Sequence, residues 1–511
     1  MVVVVIPMNG RGRRFAGIGY KPLVPVDRRP MICHVLDTMP TSSKVLCLYD
    51  PAHPEVLPFI KGPIPVPYTG QGPVGTILDA ADQIPDDEDI LVSYCDYGMQ
   101  WDPEAFLREM READAAGGIV CYTGFHPHHL GPDCYAYVRT TADGDVVEVR
   151  EKTPFTSDKL SEFASSGAYY FRTGREMKAA FRDLVAHPEE RVNGEFYVSL
   201  AYNHLPGRIR IGLIPTMLQW GTPTDLADYQ GWSDIFRTPG RTPQSAPGVT
   251  LLPMAGRGSR FSMVGYTTPK PFLPIGDVPM VVAALRCLPQ TPELRIVTLR
   301  EHPDIQPFVP EAHVIRIDDV TDGQSTTCSL GLDGVPDDMP VTITACDNGA
   351  LYSQSALQTL LDDPTIDVIV WAFKQTATSR LYPHMYAWLD VDESLQLRDV
   401  SIKKPFADRP NVYAIIGTMF FRRAGDFRWG HEFIRTHDLR TNGEFYVDNL
   451  LKPLVDAGKR VVVFPVDHYL CWGTPNDYKT FRYWESYFTH ADRPSSEYTG
   501  RSSEGPVASR D

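Results

Sequence analysis

The sequence predicts an α/β protein made of two copies of one domain, each a mostly parallel twisted sheet with helices on both faces. Three observations predict it. The first is an internal repeat. Gly10 pairs with Gly256, Asp96 with Asp347, Asn193-Gly194-Glu195-Phe196-Tyr197-Val198 with Asn442-Gly443-Glu444-Phe445-Tyr446-Val447, and Trp220-Gly221-Thr222-Pro223 with Trp472-Gly473-Thr474-Pro475. The order is kept and the offsets are nearly constant, which means a duplicated domain rather than a solenoid of short repeats. The second is alternation: short apolar runs such as Val45-Leu46-Cys47-Leu48 and Val368-Ile369-Val370 are separated by amphipathic segments, the pattern of helices laid over a parallel sheet. The third is the opening of each copy. Val2-Val3-Val4-Val5-Ile6 and Val249-Thr250-Leu251-Leu252 read as buried strands, and each feeds a glycine-rich loop.

The repeat sets the domain bounds at 1–238 and 249–490. Residues 239–248, rich in Pro, Gly, Thr and Ser, read as a linker. Residues 491–511 turn to Ser, Gly, Arg and Glu and read as a disordered tail. At 511 residues the chain is too long for one ordinary core.

The net charge is −15, which argues against a nucleic-acid binder or a membrane-surface protein. The nine cysteines form no Cys-x-x-Cys pair and sit mostly in strand-like runs. They read as buried reduced thiols of a cytoplasmic protein. The N-terminal Val run is too short for a signal peptide or a membrane span.

The two loops stand out against this acidic background. Residues 1–26 hold four basic residues and no acid, and residues 249–276 hold three and no acid. The first loop contains Gly10, Arg11, Gly12, Arg13, Arg14 and Lys21. The second contains Gly256, Arg257, Gly258, Ser259, Arg260 and Lys270. Glycines let backbone N–H groups approach an anion, and the basic side chains add charge, so both loops point to a phosphate-rich ligand. Neither is a dinucleotide fingerprint, because Phe15 and Phe261 stand where the third glycine belongs. Neither is a Walker A loop, because the terminal Gly-Lys-Ser/Thr is missing.

Asp96 and Asp347 close apolar runs downstream of these loops, where such a fold presents a metal ligand; the alternative is a helix N-cap. His126, His128 and His129 cluster in copy 1 and read as an exposed polar loop rather than a metal site.

At these residues the chain resembles the sugar-phosphate nucleotidyltransferase (NTP-transferase) superfamily. The resemblance is carried by Gly256-x-Gly258-Ser259-Arg260-Phe261 followed by Pro269-Lys270-Pro271-x-x-Pro274-Ile275, and it extends over nearly the whole chain outside linker and tail. Copy 1 departs at Arg13, where Ser or Thr is usual, and in a spacer three residues shorter before Lys21. The resemblance implies tandem Rossmann-like (GT-A-like) domains. It also implies Mg²⁺-dependent transfer of a nucleoside monophosphate from an NTP to a phosphorylated small-molecule acceptor, as in nucleotide-sugar and capsule polysaccharide pathways. The implied catalytic residues are Arg260 and Lys270, with Arg14 and Lys21 in copy 1. Gln71 and Gln324 would contact the nucleotide with the glycine loops. Glu151, Lys152 and Gly167, and Lys403 and Gly417 in copy 2, would hold the acceptor. Asp347 and Asp448 would hold the metal ion. Copy 1 supplies Asp96 but has Ser199 where Asp448 would stand. Copy 2 is therefore the expected principal site. Two rivals stay open: a GT-A glycosyltransferase using a nucleotide-sugar donor, and a copy 1 that binds ligand without turnover.

Overall fold

The computed structural model describes residues 1–10, 12–238, 244–374, 379, 383–407 and 409–490. The chain divides into two compact units, Met1–Phe236 and Arg237–Glu485, and residues 486–490 are grouped with the first. The first changeover lies close to the expected boundary at 238. The tail, and residues 239–243 of the linker, lie outside the described residues.

In the first unit the sheet strands are β1 (Val2–Pro7), β2 (Lys44–Tyr49), β3 (Pro63–Pro65), β4 (Asp89–Ser93), β5 (Gly117–Tyr122), β6 (Ala136–Thr140), β7 (Val146–Glu151), β8 (Phe163–Phe171) and β9 (Ile209–Leu213). Their order is β7-β6-β8-β4-β1-β2-β3, with β5 also beside β8 and β9 beside β5. Strands β3, β2, β1 and β4 are parallel; β8 runs antiparallel to β4, β5 and β6. The second unit repeats this order. Its strands are β10 (Val249–Met254), β11 (Glu293–Leu299), β12 (His313–Ile317), β13 (Val341–Ile343), β14 (Val368–Lys374), β15 (Ala387–Val391), β16 (Leu397–Ile402), β17 (Val412–Phe421) and β18 (Val461–Pro465). They run β12-β11-β10-β13-β17-β14-β18, with β15 beside β17 and β16 beside β15. The expected parallel core is present in each unit. The antiparallel β8 and β17 extend it, and Gly167 and Gly417 stand near their midpoints, where the pairing register shifts.

The strand pattern explains the two-faced core. In β1 the odd residues Val3 and Val5 face the cluster built on helices Gly72–Asp79 and Gly174–Val185. The even residues Val2, Val4 and Ile6 face the cluster built on helices Met31–Asp37 and Pro103–Glu112. Period-two alternation with apolar residues at every position requires helices on both faces.

The repeated motifs are local geometry written twice. In Asn193-Gly194 and Asn442-Gly443 both residues have positive φ, and the flanks Val192 and Glu195, and Thr441 and Glu444, bridge. That is the Asn-Gly turn that joins paired strands. In Thr222-Pro223 and Thr474-Pro475 the threonine hydroxyl accepts from the N–H of Asp225 and Asp477 at 3.1 and 3.2 Å. It also donates to the same residue's carboxylate at 2.6 Å. Threonine caps the helix and proline occupies its first turn.

Gly72 and Gly323 have positive φ, and a Cβ on Gly323 would lie 2.4 Å from the Phe445 backbone nitrogen. Gly323→Ala should therefore cost on the order of 1–3 kcal/mol. Gly256→Ala, where nothing lies within 4 Å of the new Cβ, should change stability by less than about 0.5 kcal/mol. Denaturant midpoints test this, and equal losses would contradict it.

Candidate active site

In each unit the loop after the first strand turns back on the lysine that follows it. Gly12 and Gly258 have positive φ. A Cβ there would lie 3.2 Å from Lys21 Cβ and 3.1 Å from Lys270 Cβ. Glycine is needed both for the backbone conformation and for the close approach of the lysine stem. The lysine is thereby aimed at the aspartate beyond β4 or β13. Lys270 Nζ lies 2.7 Å from Asp347 Oδ2, and Lys21 is hydrogen-bonded to Asp96. These aspartates stand a few residues past the strand ends, in the turn to a short strand, rather than at the strand termini. That short strand, Tyr97–Gln100 or Asn348–Leu351, pairs with Thr216–Gln219 or His468–Cys471. The Trp220 and Trp472 N–H groups donate to the Asp96 and Asp347 carbonyls at 3.2 and 2.9 Å. A Cβ on Gly221 or Gly473 would lie 2.8 or 3.2 Å from the same carboxylates. The Trp-Gly-Thr-Pro motif therefore seats the aspartate, a role the sequence alone did not reveal.

Burial lowers the Lys270 pKa and raises that of Asp347, but the pair's mutual attraction outweighs burial in both groups, so both stay charged. Arg260 lies within electrostatic range of Lys270, Asp347 and Lys403. Arg14 does the same for Lys152 and Tyr197.

Lys152 and Lys403, the lysines expected at the acceptor end, each have positive φ, 57° and 65°. For a long side chain this is a strained conformation, and its recurrence marks a fixed position. Each lysine N–H donates to a tyrosine carbonyl, that of Tyr135 or Tyr386. Each ammonium lies over the tyrosine of the Asn-Gly-Glu-Phe-Tyr-Val motif, at 4.1 Å from Tyr197 and 5.9 Å from Tyr446. Burial lowers the pKa of both lysines.

The halves differ beside these lysines. In the second unit Asp448 lies in the turn Val447–Leu450, where burial pushes its carboxyl up to about 6 against the pull of Lys403. No described residue donates a hydrogen bond to that carboxylate. In the first unit Ser199 donates a 2.6 Å hydrogen bond to Glu151, and Ile402 is the counterpart of Glu151. The first unit thus keeps a buried carboxyl at this end, supplied from β7 instead of the turn. The oxygen donors Asp347 and Asp448 fit a hard divalent cation such as Mg²⁺.

In the first unit these groups line a cleft of about 630 Å³ that includes Gly10, Gly12, Arg14, Lys21, Asp96, Glu151, Lys152 and Gly167. Gly70, Gly72 and Pro73 form its wall near Gln71, which is itself exposed. Gln324 begins helix Gln324–Gly331. Arg257 is paired with Asp319 at 2.8 Å; Gly256 stands in the loop, and Ser259 and Arg260 open the short helix Ser259–Ser262 that follows it. Arg11 and the Arg13 side chain lie outside the described residues. The histidine cluster is a correction: His126 and His129 are buried, and the three rings pack on Tyr122 and Tyr135. Burial holds all three neutral at pH 7. Three polar rings in a row read as surface, but packing on tyrosines decides their place. All nine cysteines are free, and no described helix is long and apolar enough to cross a membrane.

Residues 4–152 and 251–409, together more than half of the chain, match the MobA-like NTP transferase domain. The chain belongs to that family and carries the domain twice; the reaction class is nucleotidyl transfer. Among solved structures the chain is similar to a nucleoside-diphosphate-sugar pyrophosphorylase from Vibrio cholerae RC9, at 18% identity over 45% of this chain and 98% of that one, with a TM-score of 0.38. It is also similar to the inositol-1-phosphate CTP transferase from T. maritima, at 16% identity over 47% and 96% with a TM-score of 0.37. A UDP-glucose pyrophosphorylase complexed with UDP-glucose is similar at 18% identity over 48% and 99%, with a TM-score of 0.38. No curated protein sequence matches the chain.

Burial pushes the Glu151 carboxyl up to about 7, with Ser199 and Lys152 opposing. A carboxyl that stays protonated when folded but ionises when unfolded favours the fold at low pH. That contribution is full below the ordinary value of 4.5 and is lost as pH rises to about 7. Glu151→Gln should flatten the fall in unfolding free energy between pH 4.5 and about 7, by on the order of 2 kcal/mol. Parallel pH profiles for the two proteins would contradict this.

Proposed function

We propose that the chain transfers a nucleoside monophosphate from an NTP to a phosphorylated small-molecule acceptor and releases pyrophosphate. The observation that carries the reading is the lysine–aspartate pair set behind a basic glycine loop, present in both units. The acceptor phosphate is itself the nucleophile, so no Ser, Cys or His nucleophile is required. The chain's part is positioning and charge neutralisation at the α-phosphorus. Loop N–H groups, Arg260 and Lys270 hold the triphosphate and stabilise charge on the leaving pyrophosphate. Lys403 holds the acceptor phosphate in line with the scissile bond. Asp347 and Asp448 would hold Mg²⁺, with Asp96 in the first unit; when bound it neutralises charge across the phosphate oxygens.

The first unit has the parts for the same task, but its second carboxyl comes from Glu151 and its matching turn offers Ser199. That change lies at the acceptor end. It supports different acceptors for the two units, with the second unit the principal site for an acceptor that needs the Asp347–Asp448 pair.

With one NTP and one acceptor, Lys270→Ala should lower turnover about 10²–10³-fold, and Lys21→Ala should cost little of that reaction. Asp347→Asn should nearly abolish it with the fold intact, because it removes charge and no volume. Pyrophosphate release measures all three. If Lys21→Ala is the more damaging change, the principal site lies in the first unit.

A further inference from the structure

A second constellation lies away from the cleft of the first unit. Asp183 stands near the end of helix Gly174–Val185, His187 follows it, and His204 ends the turn Val198–His204. One ligand atom from each lies within 4.8 Å of the others. His204 Nδ1 is 3.0 Å from Asp183 Oδ2, and its Nε2 is 3.0 Å from Glu190 Oε1. His187 Nδ1 is 2.9 Å from the Asp183 carbonyl oxygen. Each imidazole therefore has one nitrogen engaged by an oxygen outside the shared centre: Glu190 for His204, the Asp183 carbonyl for His187. This is the arrangement that fixes the tautomer of a ligating histidine and aims its other nitrogen.

We propose that Asp183, His187 and His204 form a binding site for a divalent transition ion of the Zn²⁺ type, with Glu190 orienting His204. Two imidazoles and a carboxylate select such an ion over Mg²⁺ or Ca²⁺, which take oxygen donors. Only part of the cluster is shared between the units. Counted from the helix start and from the Asn-Gly turn, His437 stands where His187 does and makes the same bond to a helix carbonyl, that of Phe433, but Phe433 and Pro453 stand where Asp183 and His204 do. In the metal-free chain burial lowers the His204 pKa, and the two carboxylates more than reverse it.

The consequence is mechanical. His187 and His204 bracket the segment that carries the Asn193-Gly194 turn, Glu195, Tyr197 and Ser199, which supplies one wall of the cleft. An ion bound across the bracket ties this segment to the helix end and removes freedom from a loop, as a metal clip does. The site is then a brace for the acceptor end of the first unit, separate from any ion that accompanies a nucleotide.

The test uses the full chain, without an affinity tag, stripped with chelator and titrated with Co²⁺ and Zn²⁺ in excess Mg²⁺. One equivalent of Co²⁺ should bind with the visible absorption of a low-symmetry site, and Zn²⁺ should displace it and raise the melting temperature. His187→Gln and Asp183→Asn, both at partly or fully exposed positions, should each weaken binding more than about 10-fold. Asp347→Asn should leave it unchanged. His204→Gln should abolish binding; should it fail to fold, the other two variants decide. A wild-type chain that binds no Co²⁺, leaving an ion pair only, would overturn the proposal, as would binding that survives loss of His187 and Asp183.

Discussion

The structure depends on one contact made twice: a lysine stem packed on a left-handed glycine, with its ammonium on an aspartate beyond a central strand. Gly12 and Gly258 bring the loop back so that Lys21 and Lys270 reach Asp96 and Asp347. The chain's other repeated motifs serve that contact. The tryptophan N–H fixes the aspartate backbone, and the glycine beside it leaves room for the carboxylate. In the second unit the pairing keeps Lys270 and Asp347 charged against the burial that opposes charge in both. In the proposed reaction the cation would meet a phosphate and the anion a hard metal ion.

Duplication has kept this contact and varied what surrounds it. The acceptor-end lysine holds the same strained backbone and the same tyrosine partner in both units. The carboxyl beside it has moved. In one unit it comes from the turn as Asp448; in the other it comes from the strand as Glu151, and Ser199 in the turn donates to it. A carboxyl at this end is therefore retained while the segment that supplies it changes. In the proposed reaction a change of that kind would alter which acceptor is held and leave the triphosphate end intact.

Much of this was legible in the sequence because it rests on short-range rules. Glycines after a buried strand, Asn-Gly turns and Thr-Pro caps each dictate one local geometry, and their repetition identified the duplicated domain. The fold class and the family followed from the same residues. What was hidden depends on contacts between distant segments. Ser199 read as the loss of a carboxylate, because sequence offers no sign that it faces Glu151. The three histidines read as surface, because their burial depends on Tyr122 and Tyr135 folding over them. The antiparallel strands Phe163–Phe171 and Val412–Phe421 are apolar runs like the parallel ones, and only pairing sets their direction.

The central claim is transfer of the α-phosphoryl group with its nucleoside, and following the label through the reaction tests it most directly. The chain is incubated with each NTP in turn, labelled at the α- or the γ-phosphorus, and with a panel of phosphorylated acceptors. The account predicts that α-label passes to an acceptor-linked diphosphate and that γ-label appears in pyrophosphate. Release of γ-label as inorganic phosphate, or its transfer to the acceptor, would contradict it.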